Sequence, residues 1–228
     1  MILSVFNEKD LLEKAVHHAR EILSRDFGQF ELILIDDGSD DGTGELMEKL
    51  AENDDRIKVR RNPVNLNVGV SIQTGMVMAT KQYVLFNGID LPLAVEDIAG
   101  LIMKMKDCDV LVLERKSYAG YTSWRWLTSK INRFFLWFFF RCRPIRDMNF
   151  TQIYRRDIID KILPLAKSPA FTLPEMILRA IKLNLNVRAE TVAYRSRPSG
   201  KGAFGKPHDV LWTLHDMLRF RLKVWKRL

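Results

Sequence analysis

The segment FELILIDDGSDDGT, residues 30–43, constrains the fold of this chain more than any other part of the sequence. Four successive apolar residues within it predict a central parallel strand that is covered on both faces. Asp36 and Asp37 follow at the carboxyl end of that strand, where open α/β sheets bind their ligands. Gly38 allows close backbone approach, and Ser39 offers a cap for the next helix. An ordinary polar loop is the alternative, but two carboxylates at a strand end favour a binding site.

Strand-like and helix-like segments alternate along the first half of the chain. Apolar strands are predicted near residues 1–5, 30–35, 57–59, 82–86 and 110–113, with amphipathic helices between them. This alternation predicts an α/β domain with a mostly parallel, doubly wound sheet and right-handed crossovers. The length of 228 residues fits one domain, 1–228.

The second half of the chain departs from this rhythm. An aromatic and basic helix is predicted over 122–141, followed by a loop that carries Asp147, a short strand and a helix. The remaining predicted elements are a helix at 171–183, a strand at 186–194, a basic glycine-rich loop at 195–206 and a last helix at 208–227.

Charge and composition limit the classes of partner. The formal net charge of +8 favours anionic partners such as nucleotide phosphates and lipid headgroups. No nucleic-acid-binding module is recognised, so nucleic acid is not expected as a partner. The sequence has no signal-peptide pattern, and no apolar run reaches the roughly 18 residues needed to span a bilayer. A cytoplasmic location is therefore expected, with attachment to a membrane surface left open.

Two segments combine apolar and basic residues as helices at a membrane surface do. Residues 134–140 read FFLWFFF, and Arg133, Arg141 and Arg143 flank them closely. The last helix carries a stripe formed by Leu211, Leu214, Leu218, Leu222 and Trp225, surrounded by Lys and Arg. Packing against the body of the domain is the alternative for both segments.

Four further motifs each allow two interpretations. Asn7 and Glu8 after the first strand are either a helix cap or acceptors for a nucleobase and ribose hydroxyls. Asp90 is either a turn residue or the carboxylate that binds a cation together with donor phosphates. Asp147 is either a counter-ion for nearby arginines or a catalytic residue, and the loop at 195–206 is either solvated surface or a phosphate site. Glu175 lies in an otherwise apolar helix and is expected to pair with a nearby cation.

Taken in order, these motifs resemble the family-two glycosyltransferases of GT-A fold. The resemblance is closest to the branch related to dolichol-phosphate mannose synthase, which transfers sugars to polyprenyl phosphates. It covers nearly the whole chain. The segments that carry it are SVFNE, LIDDGSDDGT, NLNVGVSIQTGMVMA, YVLFNGIDLPLAVEDI, ERK, RDMNFTQIYRR, PEMILRA and the pattern R-x-x-GKG at 197–202.

The resemblance implies a Rossmann-like nucleotide-diphospho-sugar transferase fold and assigns a role to each motif. Residues 1–114 would bind the nucleotide sugar, 115–207 would form the acceptor side, and 208–228 would be a basic amphipathic helix. The implied donor-binding residues are Ser4, Phe6, Asn7, Glu8, Asp36, Asp37, Gly38, Ser39, Asn65 and Gly69. The implied acceptor and phosphate-binding residues are Arg115, Arg125, Ser129, Asn132, Arg197 and Lys201.

Two carboxylates remain for the chemistry that the resemblance implies. Asp90 would bind a divalent cation, Mg²⁺ or Mn²⁺, with the donor diphosphate, and Asp147 would lie near the reacting centre in an orienting role. The chain departs from the family pattern at Gly88, which replaces the first Asp of the D-x-D motif. Asn67 and Gly202 stand where Gly and Ser are usual in the family. Some relatives also carry transmembrane helices after the catalytic domain, and this sequence has none there.

The implied activity is inverting transfer of a sugar from a UDP- or GDP-linked donor to undecaprenyl or dolichyl phosphate. Such an enzyme would serve cell-envelope glycan synthesis, peripherally attached to the cytoplasmic membrane face, where an integral membrane protein is an expected partner. One alternative is a glycan hydroxyl acceptor, for which Asp147 would be a true base. The other alternative, motivated by Gly88, is a degenerate nucleotide-binding or membrane-docking protein.

Overall fold

The computed structural model describes residues 1–117, 122–141, 145–195 and 207–225, without the side chains of Arg125 and Pro207. Within these ranges the helices are α1 Lys9–Asp26, α2 Thr43–Glu52, α3 Val68–Met78, α4 Ile98–Lys104, α5 Ser123–Phe140, α6 Arg156–Ile162, α7 Thr172–Lys182 and α8 Pro207–Lys223. The strands are β1 Ile2–Val5, β2 Leu32–Asp36, β3 Ile57–Arg61, β4 Tyr83–Gly88, β5 Val110–Arg115, β6 Gln152–Arg155 and β7 Val187–Val192. Each of these elements overlaps a segment for which the sequence predicts the same type.

The described strands form one seven-stranded sheet in the order β3-β2-β1-β4-β6-β5-β7. All pairings are parallel except those of β6, which runs antiparallel to both β4 and β5. The predicted mostly parallel α/β sheet is therefore confirmed. After β3 the chain crosses β1 to form β4 on the other side, so strand order reverses between β1 and β4. Ligands of open α/β sheets bind at such a reversal, outside the carboxyl ends of the strands.

Apolar clusters cover both faces of the central strands, and the side chains of each strand alternate between the two clusters. Leu32 and Leu34 of β2 pack into one apolar cluster with α1, while Ile33 and Ile35 pack into the other with α3 and α7. The four apolar residues of β2 are at most 1% exposed, which confirms the prediction of a strand covered on both faces.

Two buried carboxylates fix the connection between α6 and α7. Glu175 accepts hydrogen bonds from the backbone N–H groups of Leu165 and Ala166 at 3.0 and 2.8 Å, and pairs with Arg179 at 2.7 Å. Asp216 of α8 accepts from the next two N–H groups along the chain, those of Lys167 and Ser168. This connection, residues 163–171, is therefore held by α7 and α8 together. The cation expected beside Glu175 is Arg179.

Glu31 anchors the start of β2 against its neighbours. Its carboxylate accepts hydrogen bonds from Lys58 Nζ at 2.6 Å and from the Thr80 backbone N–H at 2.6 Å. Burial raises the pKa of Glu31, but these hydrogen bonds outweigh burial and bring the pKa down to about 2. The ionised form of Glu31 therefore stabilises the folded chain.

No helix in the described part of the chain has the length and apolarity needed to cross a membrane.

Candidate functional site

Strands β2, β1 and β4 are neighbours at the point where the strand order reverses, and they end at the same edge of the sheet. Ser4 of β1 lies between Ile35 of β2 and Gly88 of β4, and Val5 pairs with Asp36. The loops that follow β1, β2 and β4 therefore meet at one edge of the sheet, here called the donor edge. The sequence-predicted donor residues at the ends of β1 and β2, and Asp90 after β4, all come from these loops.

Hydrogen bonds join the loop after β1 to the loop after β2. The Asn7 backbone N–H donates to Ser39 Oγ at 3.0 Å, and Asn7 Nδ2 donates to Asp40 Oδ1 at 2.8 Å. Asp40 N–H returns a hydrogen bond to Asn7 Oδ1 at 3.0 Å. Asn7 has a φ of +52°, a left-handed conformation that Asn tolerates better than most residues. Asn7 therefore positions both loops in addition to any contact with a ligand.

The next residues extend this junction into α2. The Glu8 backbone N–H donates to Thr43 Oγ1 at 3.2 Å, and the Lys9 N–H donates to Asp41 Oδ2 at 3.3 Å. Burial raises the pKa of Asp41, but hydrogen bonds from Thr43 and Lys9 lower it more, so it lies below its ordinary value. Phe6 is 45% exposed beside the junction, so its ring is available to a ligand.

Asp36 and Asp37 are buried and are tied into the protein. Asp36 Oδ1 accepts from the Ser39 N–H at 2.9 Å, while Asp36 Oδ2 lies 3.3 Å from Arg61 Nε without a hydrogen bond. Asp37 Oδ1 accepts from Asn62 Nδ2 at 2.9 Å and from the Leu66 N–H at 3.0 Å. The two carboxylates therefore shape the loops of the donor edge, a function that the sequence did not indicate.

Two glycines of the predicted donor set are required by close packing. Gly38 has a φ of +80°, and a Cβ there would collide with the backbone of Val64. A Cβ on Gly69 would lie 2.6 Å from Lys167 O and from Thr172 Oγ1, so this glycine lets α3 approach the 163–171 connection. Asn67 caps α3 by accepting from the Gly69 N–H at 2.7 Å. Asn65 Oδ1 in turn accepts from the Asn67 N–H at 3.1 Å.

The loop after β4 places Asp90 over Gly88. Asn87 is fully buried and holds the loop by donating to Leu93 O at 2.9 Å. Asp90 Oδ1 lies 2.5 Å from the position that a Cβ on Gly88 would occupy, so the carboxylate covers the space of the missing side chain. Within the described ranges, no group of three or more His, Cys, Asp or Glu side chains could hold a metal ion. Asp90 suits a cation bound by one carboxylate together with diphosphate oxygens, which is a common arrangement for Mg²⁺.

Arg115 and Asp147 form a buried ion pair on the other half of the sheet. Arg115 Nε and Nη2 donate to Asp147 Oδ2 and Oδ1 at 2.6 and 2.8 Å, and the two side chains are 8% and 5% exposed. The guanidinium also lies 5.2 Å from the Phe150 ring centre and 5.6 Å from that of Tyr194. Both oxygens of Asp147 therefore accept from Arg115, which fixes the plane of the guanidinium.

Two adjoining clefts of about 190 and 250 Å³ meet at this ion pair. Both are lined by Arg115, Ser129, Asn132 and Asn149. The larger cleft adds Asp147, Arg133, Arg146 and Trp137, whereas the smaller one runs toward Pro169, Ala170 and α8. Three of the predicted acceptor-side residues, Arg115, Ser129 and Asn132, are thus brought together. Asn149 was missed, and its only signal was its place two residues after Asp147.

Helix α5 buries one face and exposes the other. Leu136 and Phe140 are buried, while Phe134, Trp137 and Phe138 are 54%, 38% and 58% exposed. Leu127 is also 45% exposed, and Lys130, Arg133 and Arg141 lie along the same helix or at its end. Part of the FFLWFFF segment therefore packs in the core, and part of it faces solvent. This exposed side is called the α5 aromatic face below.

The predicted leucine stripe of helix α8 is likewise partly buried and partly exposed. Leu211, Leu218 and Leu222 are exposed, whereas Leu214 and Trp225 pack against the core. Met217 and Phe220, which the stripe left out, are the buried anchors of the helix. The predicted phosphate-binding residues Arg197 and Lys201, the side chain of Arg125, and Arg143 lie outside the described residues.

Comparison with known proteins identifies a family and a set of structural neighbours. Residues 1–163 match the family model described as Glycosyl transferase family 2. A curated relative, the GalNAc(5)-diNAcBac-PP-undecaprenol beta-1,3-glucosyltransferase of Campylobacter jejuni, is 41% identical over 58 residues. That match covers 25% of this chain and 18% of the relative.

Solved structures resemble the chain over nearly its full length. Mannosyl-3-phosphoglycerate synthase from Rubrobacter xylanophilus has a TM-score of 0.71 at 14% identity, covering 100% of this chain and 74% of that one. Glucosyl-3-phosphoglycerate synthase from Mycobacterium tuberculosis in complex with UDP has a TM-score of 0.68 at 17% identity, covering 96% of this chain and 78% of that one. The mannosyltransferase PcManGT from Pyrobaculum calidifontis, in complex with GDP-Man and Mn²⁺, has a TM-score of 0.59 at 15% identity. The match covers 97% of this chain and 69% of that one. These likenesses show a shared GT-A fold.

Proposed function

This chain belongs to glycosyl transferase family 2, and from that membership we propose that it transfers a sugar from a nucleoside-diphosphate sugar to a polyprenyl phosphate at the cytoplasmic face of a membrane. One observation carries the proposal of a lipid phosphate. Helix α5 lines the arginine-rich cleft with Ser129, Asn132 and Arg133 and exposes the α5 aromatic face beside it. Trp137 belongs to both, since it lines the cleft and is 38% exposed.

The donor edge supports a UDP- or GDP-linked sugar. Strand-order reversals of this kind bind nucleotides, and structural neighbours were obtained with UDP and with GDP-Man. Asn7, Glu8, Asp37 and the exposed ring of Phe6 would contact the base and ribose. Asp90 would hold Mg²⁺ or Mn²⁺ against the diphosphate, and that cation supplies charge neutralisation of the leaving group.

The acceptor chemistry needs positioning more than proton removal. A phosphate monoester has its second pKa near 6, so it is mostly a dianion at neutral pH and already a nucleophile. Its oxygen would form a bond to the anomeric carbon as the bond from that carbon to the donor diphosphate breaks, with inversion. Arg115 would bind the acceptor phosphate, and Asp147 would hold the guanidinium in place. Because both Asp147 oxygens already accept from Arg115, an orienting role suits Asp147 better than that of a base.

The α5 aromatic face supports peripheral attachment to an anionic membrane surface. Exposed Phe and Trp side chains among Lys and Arg are typical of helices that lie in the headgroup region. Phe134, Phe138 and Lys130 would enter the interface, and the acceptor phosphate would reach Arg115 from the same side. An integral membrane protein remains an expected partner of such an enzyme.

A second candidate function has a hydroxyl acceptor on a phosphate-bearing molecule. It is motivated by the names of similar proteins, which include phosphoglycerate synthases and an enzyme acting on a saccharide linked to undecaprenyl diphosphate. In that case Arg115 would bind the phosphate and Asp147 would be the base for the hydroxyl. A nucleotide-binding or membrane-docking protein without activity is the third reading.

The deciding experiment measures release of nucleoside diphosphate from UDP- and GDP-sugars with three acceptors: a polyprenyl phosphate, a saccharide-bearing polyprenyl diphosphate, and 3-phosphoglycerate. The proposal expects release that depends on polyprenyl phosphate. It also expects Asp147→Asn to raise the KM for that acceptor while the pH profile of kcat stays unchanged. Release only with a hydroxyl acceptor, together with a loss of kcat beyond about a thousandfold in Asp147→Asn, would establish the second function instead. Binding of nucleotide and liposomes without any release would favour the third.

A further inference from the structure

Two aromatic rings flank the guanidinium that the proposed function assigns to the acceptor phosphate. Arg115 Cζ lies 5.2 Å from the ring centre of Phe150 and 5.6 Å from that of Tyr194. The two rings meet edge to face, with their centres 5.8 Å apart. Phe150 is buried, and Tyr194 is partly buried against the same apolar cluster. A cation over a ring face is attracted at such distances, so the rings help Asp147 to orient Arg115.

Tyr194 also begins a connection to the donor edge. The next residue, Arg195, donates its backbone N–H to Pro92 O at 3.0 Å. Pro92 belongs to the loop after β4, which carries Asp90. Consecutive Cα atoms are about 3.8 Å apart. One step of the chain therefore separates the residue that contacts Arg115 from the residue that contacts this loop.

The loop after β4 is itself held firmly. Asn87 Nδ2 donates to Leu93 O at 2.9 Å, and the Leu91 N–H donates to Gly88 O at 2.9 Å. Leu91 and Leu93 pack in the same apolar cluster as Tyr194. Close-packed interiors transmit displacements instead of absorbing them. A shift at Tyr194 should therefore change how Arg115 stands relative to the loop.

We propose that Tyr194 is a positioning residue that fixes the acceptor arginine relative to the loop after β4. The inference rests on the proposed function, because it requires a phosphate-bearing acceptor at Arg115 and a donor at Asp90. The Tyr194 ring orients the Arg115 guanidinium, and the N–H of the following residue holds the loop. Reacting atoms must stand about 3–3.5 Å apart, and misplacement by about 1 Å can lower the rate about a hundredfold. Tyr194 should therefore affect the rate of transfer as well as the binding of the acceptor.

The experiment removes the aromatic ring but keeps an apolar side chain. Tyr194→Leu should raise the KM for polyprenyl phosphate by about fivefold or more, because the contact between cation and ring is lost. It should also lower kcat by about tenfold or more through misplacement of the acceptor. The dissociation constant of UDP or GDP should stay within about twofold, since the donor binds at other residues. Tyr194→Phe keeps the ring and should restore kcat and KM to within about twofold of the natural sequence.

Tyr83 supplies the matched control. Like Tyr194, it is partly buried against the same apolar cluster. It begins β4, at the opposite end of that strand from the loop that follows Gly88. Tyr83→Leu is expected to lower the melting temperature, as Tyr194→Leu does, but to leave kcat and KM within about twofold. Release of nucleoside diphosphate and thermal melting are measured for every variant.

Three results would overturn the inference. Unchanged kcat and KM in Tyr194→Leu would show that the ring does not position Arg115. Equal losses in Tyr83→Leu would mark a general effect on the fold, and equal losses in Tyr194→Phe would assign the effect to the hydroxyl group instead of the ring.

The natural sequence distinguishes failure of the inference from failure of the proposed function. If it releases no diphosphate with polyprenyl phosphate but does so with 3-phosphoglycerate, the lipid acceptor is wrong. The same variants then test Tyr194 with 3-phosphoglycerate, because Arg115 would bind a phosphate in that case too. If it releases none with either acceptor, the proposed function and the inference are refuted together.

Discussion

The Arg115–Asp147 ion pair should respond strongly to the loss of one charge. Both side chains are at least nine-tenths buried and share two hydrogen bonds of 2.6 and 2.8 Å. Removing one partner of a buried pair typically costs about 3–5 kcal/mol, because the other charge stays buried and uncompensated. Asn at position 147 keeps one acceptor, and Arg115 borders a cleft, so we expect Asp147→Asn to cost about 2–3 kcal/mol. For a chain of this size that corresponds to a fall in melting temperature of about 4–10 °C.

The chain contains a matched control for this experiment. Arg155 and Asp157 form a similar two-bond pair, at 3.2 and 2.6 Å, but are 46% and 60% exposed. Exposed pairs contribute little, so Asp157→Asn should cost less than about 1 kcal/mol. Both variants are measured by urea unfolding followed by circular dichroism. Equal losses for Asp147→Asn and Asp157→Asn would refute the argument that burial makes the pair strong.

Three further predictions concern stability and membrane attachment. The pKa of Glu31 is about 2 in the folded chain, against an ordinary value of 4.5. Ionised Glu31 therefore stabilises the folded chain fully above pH 4.5, and this stabilisation is lost as the pH falls toward 2. Glu31→Gln should therefore lower the unfolding free energy by about 2 kcal/mol at pH 7 and by less at pH 3 in urea titrations; equal losses would contradict the pKa. Gly38→Ala should lower the free energy of unfolding by about 2 kcal/mol or more, because Gly38 has a positive φ and an added Cβ would collide with backbone. Gly100 in α4 is the control: an added Cβ there meets nothing within 4 Å, so Gly100→Ala should be neutral or stabilising in thermal melting. Phe138→Ser should weaken co-sedimentation with anionic liposomes without lowering the melting temperature. Met103, which is 66% exposed on α4 against 58% for Phe138, supplies the control, and Met103→Ser should leave binding unchanged. If the two substitutions changed liposome binding equally, the α5 aromatic face would not be the membrane-binding surface.

Local sequence patterns predicted the central strands β1, β2, β4 and β5 because each contains a short apolar run next to turn residues. The short apolar run before Asp36 predicts a strand covered on both faces, which places the two carboxylates at the end of that strand. The place of β6 between β4 and β5 was not predictable in this way. It depends on pairings such as Tyr83 with Arg155, which are long-range and leave no local periodicity.

The chemistry of the site was harder to predict than its position. Residue type indicated that Arg115 and Asp147 bear charge, but not that they are bonded to each other across 32 residues. The resemblance assigned Gly69 to donor binding but did not indicate that this glycine packs against Lys167 O and Thr172 Oγ1. In both cases the partner lies in a distant segment, so only the assembled fold reveals the contact. The α5 helix shows the same limit, because a run of apolar residues does not specify which of them face the core.

The anchoring of residues 163–171 has a consequence for biosynthesis. The backbone N–H groups of Lys167 and Ser168 donate to the Asp216 carboxylate, which lies 49 and 48 positions later in the chain and belongs to the last described helix. A nascent chain emerges amino terminus first, so β1 to β4 and the donor edge are outside the ribosome long before that carboxylate exists. The turn that borders both Gly69 and the smaller cleft therefore acquires its final shape late. The loops of the donor edge are therefore synthesised well before the carboxylate that fixes the wall of the smaller cleft at Pro169 and Ala170.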